Sequence, residues 1–328
     1  MALNKTAAAY LAYFAYIDDA LETVLASDFV TLLAGVPAGA ANGPWKLCWG
    51  PAVNDGILGY VAQGADGSYA LAFRGTDVDG SVSGSIQNVV ADANGFFLVP
   101  WLYPQQAGAP LQISAGINGA LALAIALTDP ATSVSLLDYL RGLAKTGALD
   151  LMVTGHSLGG ALAIVATAWL NDQLPKVEPL KFSLWPQTFA APTMWNAAFA
   201  TSFAKTFTYY AAVNTNDVVP MGWANLDGVL ATYPSPGPSL YDTDYSLWVI
   251  IKGASYVIPT YTAIVPSNPD LFTAPLVQVP DDAWTTEAGL MHSMQFQYFP
   301  HATGGVKAPT LPGTTRTGLA RARIAAPA

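Results

Sequence analysis

Apolar residues along the chain follow two alternating patterns. Short apolar runs indicate strands, and segments in which apolar residues recur at helical spacing indicate helices. The run at residues 149–153, for example, is followed by a small-residue helical stretch at 161–170. This alternation predicts the α/β class, with a mostly parallel sheet covered by helices on both faces. Strands are predicted at 45–49, 57–63, 69–73, 149–153, 182–190 and 206–213, and helices at 1–27, 116–127, 134–143, 161–170 and 193–204.

The same pattern contains one hairpin and one long uncharged segment. The strand-like runs at 57–63 and 69–73 are separated by a turn with two glycines, which predicts an antiparallel pair. Residues 93–128 carry no charged side chain. Their prolines interrupt any helix before the ~20 apolar residues that a membrane span needs, so we predict no transmembrane segment.

Composition favours one apolar globular domain. Of the 328 residues, 52% are hydrophobic and only 11% are charged, whereas about 25% are charged in an average domain. No linker or internal repeat divides the chain. We therefore expect a single domain over residues 1–305, followed by a poorly ordered tail at 306–328.

Charge, cysteine content and the N-terminal segment limit the possible partners and compartment. A formal charge of -9 argues against nucleic-acid binding, which needs clustered Lys and Arg. The single cysteine, Cys48, rules out an intramolecular disulfide. Acidic residues interrupt the predicted first helix, so it lacks the pattern of a signal peptide. We expect a protein that is cytoplasmic or exported by a leaderless route.

The most specific chemical motif is Gly-His-Ser-Leu-Gly-Gly at residues 155–160, between a predicted strand and a predicted helix. A serine between glycines on such a turn is held in a strained backbone conformation that presents its hydroxyl as a nucleophile. Ser157 is therefore the predicted nucleophile. The amide of Leu158, at the helix start, is a predicted donor to a developing oxyanion.

A serine nucleophile needs a histidine base, and the chain has three histidines. His156 adjoins the serine on a sharp turn, from which its ring cannot easily reach the hydroxyl. The base is therefore His292 or His301. We favour His292 because it follows an acidic and aromatic segment, whereas His301 follows a proline near the Gly-rich tail.

The base in turn needs a carboxylate, which an α/β-hydrolase carries between its serine and its histidine in chain order. Asp217 is favoured because it lies in a turn-rich loop directly after the apolar run at 206–213. Open parallel sheets present catalytic groups at the carboxyl ends of their strands. Asp227, Asp242 and Asp244 remain alternatives, in loops that no predicted strand precedes.

A second oxyanion donor is expected at another strand end, because one amide does not hold the charge of a tetrahedral intermediate. The sequence Phe-Arg-Gly-Thr at 73–76 ends the predicted strand 69–73. A Gly followed by Thr at this position allows the backbone N–H and the hydroxyl of Thr76 to face one oxygen.

Four motifs together resemble those of the class 3, fungal-type lipases, both in their residues and in their order along the chain. The resemblance implies an α/β-hydrolase fold with Ser157 as nucleophile, Asp217 as orienting acid, His292 as base, and Thr76 and Leu158 as the oxyanion hole. It implies no metal and no organic cofactor. The motifs are Phe-Arg-Gly-Thr at 73–76, Gly-His-Ser-Leu-Gly-Gly-Ala-Leu-Ala at 155–163, Asn-Asp-Val-Val-Pro at 216–220, and His292 near Tyr298.

The resemblance also implies a lid helix that covers the site. Residues 85–92 look like this helix, although the family often has Arg and Trp where this chain has Gln87 and Val89. The candidate lid residues are Ser85, Ile86, Val89 and Val90.

The uncharged segment at 96–104 contains candidates for contact with an acyl chain. Phe96, Phe97 and Trp101 supply large apolar side chains there. Burying each acyl methylene against such a surface contributes about 0.8 kcal/mol. Ordinary core packing by this segment is the alternative.

These residues predict a serine carboxylic-ester hydrolase, foremost a lipase that cleaves acylglycerols or other apolar esters through an acyl-enzyme. Its partners would be the ester substrate and, transiently, a lipid interface. A phospholipase A1, a polyester depolymerase and a short-chain esterase are alternatives on the same scaffold. The alternative from another class is a non-catalytic lipid-binding or regulatory relative of lipases.

Overall fold

A seven-stranded sheet forms the centre of the protein. The computed structural model describes residues 4–17, 22–76, 97–103, 109–176, 181–232, 260–276 and 284–312. The sheet contains β1 (Lys46–Asn54), β2 (Ile57–Gln63), β3 (Tyr69–Phe73), β6 (Leu149–His156), β7 (Phe182–Phe189), β8 (Tyr210–Asn214) and β9 (Asn268–Phe272), in the order β1-β2-β3-β6-β7-β8-β9. Two short strands, β4 (Leu98–Pro100) and β5 (Gln112–Ser114), form a separate antiparallel pair.

The sheet is mostly parallel. The strands β1, β2 and β3 pair antiparallel, and β3, β6, β7, β8 and β9 then pair in parallel. The predicted hairpin at 57–63 and 69–73 is confirmed, with Gln63 opposite Tyr69. Because the central strands run in parallel, their carboxyl ends meet at one edge of the sheet, where this class of fold places its functional groups.

Helices cover both faces of this sheet, which confirms the predicted α/β class. One apolar cluster joins the sheet to the helices at 115–125, 136–146, 158–173 and 197–206. The other joins the opposite face to the helices at 5–14, 22–34 and 299–303. The described helices are α1 (Lys5–Phe14), α2 (Glu22–Ala34), α3 (Ala115–Ile125), α4 (Leu136–Thr146), α5 (Leu158–Gln173), α6 (Ala197–Thr206), α7 (Leu226–Ala231), α8 (Trp284–His292) and α9 (Phe299–Thr303), with a π-helical turn at Met294–Tyr298.

Residue size on β3 explains how α1 packs so closely. Successive side chains of a strand point to opposite faces. Leu71 and Phe73 therefore enter the cluster of α3 to α6, whereas Ala70 and Ala72 enter the cluster that contains α1. Since α1 is itself rich in alanine and almost fully buried, small side chains on both surfaces let the helix lie close against the strands.

The predicted single helix at 1–27 is wrong. Helix α1 ends at Phe14, and α2 runs from Glu22 to Ala34. The amides of Tyr16 and Ile17 donate to the carbonyls three residues earlier, at 3.1 and 3.2 Å, which closes a tight turn. The reason is tertiary, since this turn directs Tyr16 to the end of β6, where its hydroxyl binds His156.

Two predicted boundaries between β7 and β8 are displaced. The helix predicted at 193–204 begins only at Ala197, because the side chain of Asn196 caps it by accepting a hydrogen bond from the Phe199 amide at 3.0 Å. It continues to Thr206, so the strand predicted at 206–213 is shorter and runs from Tyr210 to Asn214.

The C-terminal part of the chain contains elements that the apolar pattern does not predict. Strand β9 begins with Asn-Pro and is largely exposed, so its sequence lacks the apolar run of a buried strand. Of the tail predicted at 306–328, the structure describes residues 306–312. Ala308 and Leu311 are buried there, and the Tyr13 hydroxyl donates to the Pro309 carbonyl at 2.9 Å.

Across the described ranges, each helix is too short or too polar to cross a lipid bilayer.

Candidate active site

Ser157 lies on a sharp turn between β6 and α5. Its backbone has φ 60° and ψ -132°, a conformation that non-glycine residues rarely adopt and that costs on the order of 1–3 kcal/mol. The turn is anchored to β7, because the Ser157 amide donates to the Phe189 carbonyl at 2.9 Å. This conformation holds the hydroxyl at the carboxyl end of the sheet.

Two of the three glycines of the motif, Gly155 and Gly159, are required by close backbone contacts. A Cβ on Gly155 would overlap the carbonyl of Gly159. A Cβ on Gly159 would lie 2.5 Å from the carbonyl oxygen of Phe73, at the end of β3. Glycine at these positions therefore lets the first turn of α5 pack directly on β6 and β3.

The end of β3 passes directly beside the nucleophile. A Cβ on Gly75 would lie 3.1 Å from the Ser157 Cβ and 2.6 Å from the His156 carbonyl oxygen. The next residue, Thr76, is half-buried there. Leu158 is the first residue of α5, where amides have no intrahelical acceptor. The strand end that leads to Thr76 therefore lies beside Ser157, and Leu158 follows Ser157 in the chain.

The ring of His292 lies between Ser157 and Asp217. Its Nε2 is 2.7 Å from the Ser157 Oγ, and its Nδ1 is 2.8 Å from the Asp217 Oδ2. All three side chains are buried. Because the carboxylate can only accept, Nδ1 carries the proton, which leaves Nε2 as the acceptor for the serine hydroxyl.

Asp217 follows β8 and is satisfied by three donors although it is fully buried. Its Oδ1 accepts from the Val219 amide at 2.9 Å. Its Oδ2 accepts from His292 Nδ1 at 2.8 Å and from the Tyr298 hydroxyl at 2.6 Å. A buried carboxylate is costly unless donors surround it, so these bonds fix both its position and its orientation.

Tyr298 is part of this group, and its role is visible only in the folded protein. It is fully buried. Its hydroxyl accepts from the backbone amide of Asn214 at 3.1 Å and donates to the Asp217 carboxylate. The π-helical turn at Met294–Tyr298 places it there. In the sequence, Tyr298 is indicated only by the family resemblance, because nothing local links it to Asp217, 81 residues away.

The other two histidines have different hydrogen-bond partners. His156 contacts the Tyr16 hydroxyl through Nδ1 and the His292 carbonyl through Nε2, at 2.8 and 2.7 Å. His301 pairs with Asp270 of β9 at 2.9 Å, and its ring stacks on Phe272. Of the two candidate bases, it is thus the favoured His292 that meets both Ser157 and Asp217.

Of the three alternative carboxylates, the structure describes one. Asp227 is exposed in the first turn of α7. Asp242 and Asp244 lie outside the described residues, as do the candidate lid residues Ser85, Ile86, Val89 and Val90 and the acyl-binding candidate Phe96.

The apolar segment that was predicted to contact acyl chains divides into exposed and buried residues. Phe97 is 66% exposed, whereas Trp101 is only 5% exposed. The Trp101 ring packs against Tyr103 and Phe199, with centroids 4.8 and 5.3 Å apart. Trp101 thus fits the alternative of core packing, since the pairing of β4 with β5 turns it inward, and its contact with an acyl chain stays a prediction.

Comparisons with known proteins agree with this architecture. Residues 70–225 match the family model of class 3 lipases. A search of curated protein sequences found no match.

Solved structures share the fold over nearly the whole chain. The M37 lipase is 24% identical, covers 92% of this chain and 94% of its own, and superposes with a TM-score of 0.76. A mutant of MDLA from Penicillium cyclopium is 19% identical and covers 92% and 96%, with a TM-score of 0.52. A structure of a fungal lipase gives the same identity and score, with coverage of 92% and 97%.

These findings confirm both the resemblance and the fold that the sequence predicted. At such identities the solved structures establish the fold, and the family match adds the sequence relationship. The match over residues 70–225 and the shared fold relate this chain to the class 3 lipases, hydrolases of the α/β-hydrolase superfamily.

Proposed function

We propose that this protein is a serine carboxylic-ester hydrolase, and specifically a lipase acting on acylglycerols or other apolar esters. The observation that carries the proposal is the buried row of Ser157, His292 and Asp217, joined by bonds of 2.7 and 2.8 Å. In such a row the base can accept the serine proton while the carboxylate holds the ring in the required tautomer.

The proposed reaction has two halves. The Ser157 Oγ attacks the ester carbonyl carbon as its proton moves to His292 Nε2, and the amides of Thr76 and Leu158 donate to the oxyanion. Collapse of the tetrahedral intermediate breaks the bond to the alcohol, which leaves with the proton from Nε2. Water, deprotonated by the same nitrogen, then attacks the acyl-enzyme and releases the acid and the serine.

Low charge and family relationship favour an apolar ester as the substrate. Only 11% of residues are charged, and class 3 lipases give the family match. The lid at residues 85–92 and the acyl contacts belong to this proposal. A phospholipase A1, a polyester depolymerase and a short-chain esterase would use the same three residues, so substrate profiles must separate them.

The proposed function is tested by covalent labelling together with a substrate series. A fluorophosphonate probe should label Ser157, as located by peptide mapping. Turnover of p-nitrophenyl esters should rise with acyl length and increase further once the substrate exceeds its solubility. Absence of labelling would favour a non-catalytic lipid-binding protein, and labelling with activity confined to acetate and butyrate would favour a short-chain esterase.

The exposed ring of Phe97 offers a sharper test of acyl recognition. Phe97→Ser should lower kcat/KM for long-chain esters while leaving acetate esters unchanged, because only a long chain gains from burial against the ring. Val30→Ser is the matched control, since Val30 is also exposed but lies on α2, which packs on the other face of the sheet. An equal loss on short and long esters would contradict an acyl-contact role for Phe97.

A further inference from the structure

His156 contacts the backbone of His292, the proposed catalytic base. Its Nε2 lies 2.7 Å from the His292 carbonyl oxygen, and the two imidazole centroids are 4.6 Å apart. Yet the two residues are 136 positions apart in the chain. The residue that precedes the nucleophile therefore binds the residue that would activate it.

The partners of His156 define its tautomer. A carbonyl oxygen only accepts, so Nε2 carries the proton and donates to His292. The other nitrogen, Nδ1, is then an acceptor for the Tyr16 hydroxyl at 2.8 Å. Burial lowers the pKa of His156 well below its usual value, and the nearby His292 lowers this pKa further. The neutral ring is thus the form that matches both partners.

A second side chain, that of Asn214, binds the carbonyl of Met291, the residue before His292. Asn214, at the end of β8, donates from Nδ2 to the Met291 carbonyl at 3.0 Å. Its Oδ1 accepts from the amides of Asn216 and Ala274 at 3.2 and 3.0 Å. Two successive carbonyls at the end of α8 are therefore bound from different strands, one by β6 and one by β8.

The location of Tyr16 connects the N-terminal segment to the site. Tyr16 follows the tight turn that ends α1, and residues 5–17 lie outside the family match at 70–225. Its hydroxyl also occupies the space that a Cβ on Gly75 would need. Tyr16 therefore touches both the ring of His156 and the strand end that leads to Thr76.

We propose that His156 is a positioning residue, which holds the His292 carbonyl so that the His292 ring stays aligned between Ser157 and Asp217, and that Tyr16 fixes the tautomer of His156 for this purpose. The proposal rests on the proposed function of the three residues. A displacement of about 1 Å of a catalytic group can lower a rate by on the order of 10²-fold. His156 itself transfers no proton in this scheme.

The first test separates the donor from the bulk of the ring. His156→Phe fills the space but removes the hydrogen bond, and should lower kcat by about 10²-fold with KM unchanged. His156→Gln keeps an amide donor near the position of Nε2 and should recover most of this loss. The labelling rate of Ser157 by a fluorophosphonate should follow kcat, because it depends on the same alignment without a substrate-binding step.

The second test uses the partner of His156. Tyr16→Phe should lower kcat less than His156→Phe does. The double variant should lose no more than His156→Phe alone, because residues that act through one another are not additive. Tyr13→Phe is the matched control, since Tyr13 is a buried tyrosine in α1, three residues before Tyr16, and its hydroxyl binds the Pro309 carbonyl. It should leave kcat unchanged.

The outcomes separate this proposal from the proposed function. If wild-type protein hydrolyses esters and His156→Phe retains its kcat, the positioning role is overturned while the function stands. If His156→Gln is as slow as His156→Phe, the donor is not what matters and His156 is merely a core residue. The same conclusion follows if activity is lost only through a higher KM, or if Tyr13→Phe also lowers kcat. If wild-type Ser157 neither reacts nor turns over esters, both proposals fall. Should His156→Phe not fold, His156→Gln and Tyr16→Phe decide.

Discussion

Replacing Ser157 with alanine is expected to lower kcat for ester hydrolysis by on the order of 10⁶-fold, to the limit of detection. The substitution removes the only protein atom that bonds to the ester carbon in the proposed mechanism. The backbone strain at φ 60° is the same for alanine as for serine. The expected cost in folding free energy is therefore only the bond to His292, about 1 kcal/mol.

The measurement combines turnover of p-nitrophenyl esters, fluorophosphonate labelling and thermal unfolding. Ser133→Ala is the matched control, because Ser133 also has a left-handed backbone, with φ 59°, but lies exposed in the turn before α4. It should retain full activity. Turnover by Ser157→Ala within 10³-fold of wild type would remove the central claim of the proposed mechanism.

Replacing Asp217 with asparagine is expected to lower kcat by about 10⁴-fold. In the described structure the carboxylate of Asp217 accepts from three donors, the Val219 amide, the His292 ring and the Tyr298 hydroxyl. An amide has one accepting and one donating end, so asparagine must point its NH₂ group at one of these donors. If that group faces His292, the imidazole adopts the wrong tautomer and Nε2 can no longer accept the serine proton.

The control for Asp217→Asn is Asp227→Asn. Asp227 was an alternative acid from sequence, but it is exposed in α7, and its amide variant should retain wild-type kcat. KM should change little in either variant, because Asp217 would contact the base rather than the substrate. Comparable losses in both variants, or a loss below 10-fold for Asp217→Asn, would contradict the proposed role.

Local sequence predicted much of the fold because apolar spacing reports burial. The hairpin strands at 57–63 and 69–73 and the strand-to-helix turn around Ser157 were predictable, since each depends on neighbouring residues. The exposed strand β9 was not, because it pairs with β8 through its backbone while its side chains carry little apolar signal. The break after α1 was also missed, since a distant partner of Tyr16 stabilises it.

The site divides in the same way. A serine in a glycine turn, a Thr after a strand-end glycine, and an Asp just beyond a strand are local signals, and they indicated Ser157, Thr76 and Asp217. The choice between His292 and His301 was only partly local. Local context favoured His292, but it is their different partners, Asp217 and Asp270, that separate the two histidines directly.

The sequence by itself determined six strands of the central sheet, the strained turn at Ser157 and the resemblance to the family, because each is encoded in contiguous residues. Only the tertiary structure decided which histidine meets the nucleophile, that Tyr298 binds Asp217, and that Tyr16 and His156 hold the backbone of His292. The bonds of His292 to Ser157 and to Asp217 join residues 135 and 75 positions apart. No spacing pattern carries such a contact, since it depends on where the packed sheet brings its strand ends together.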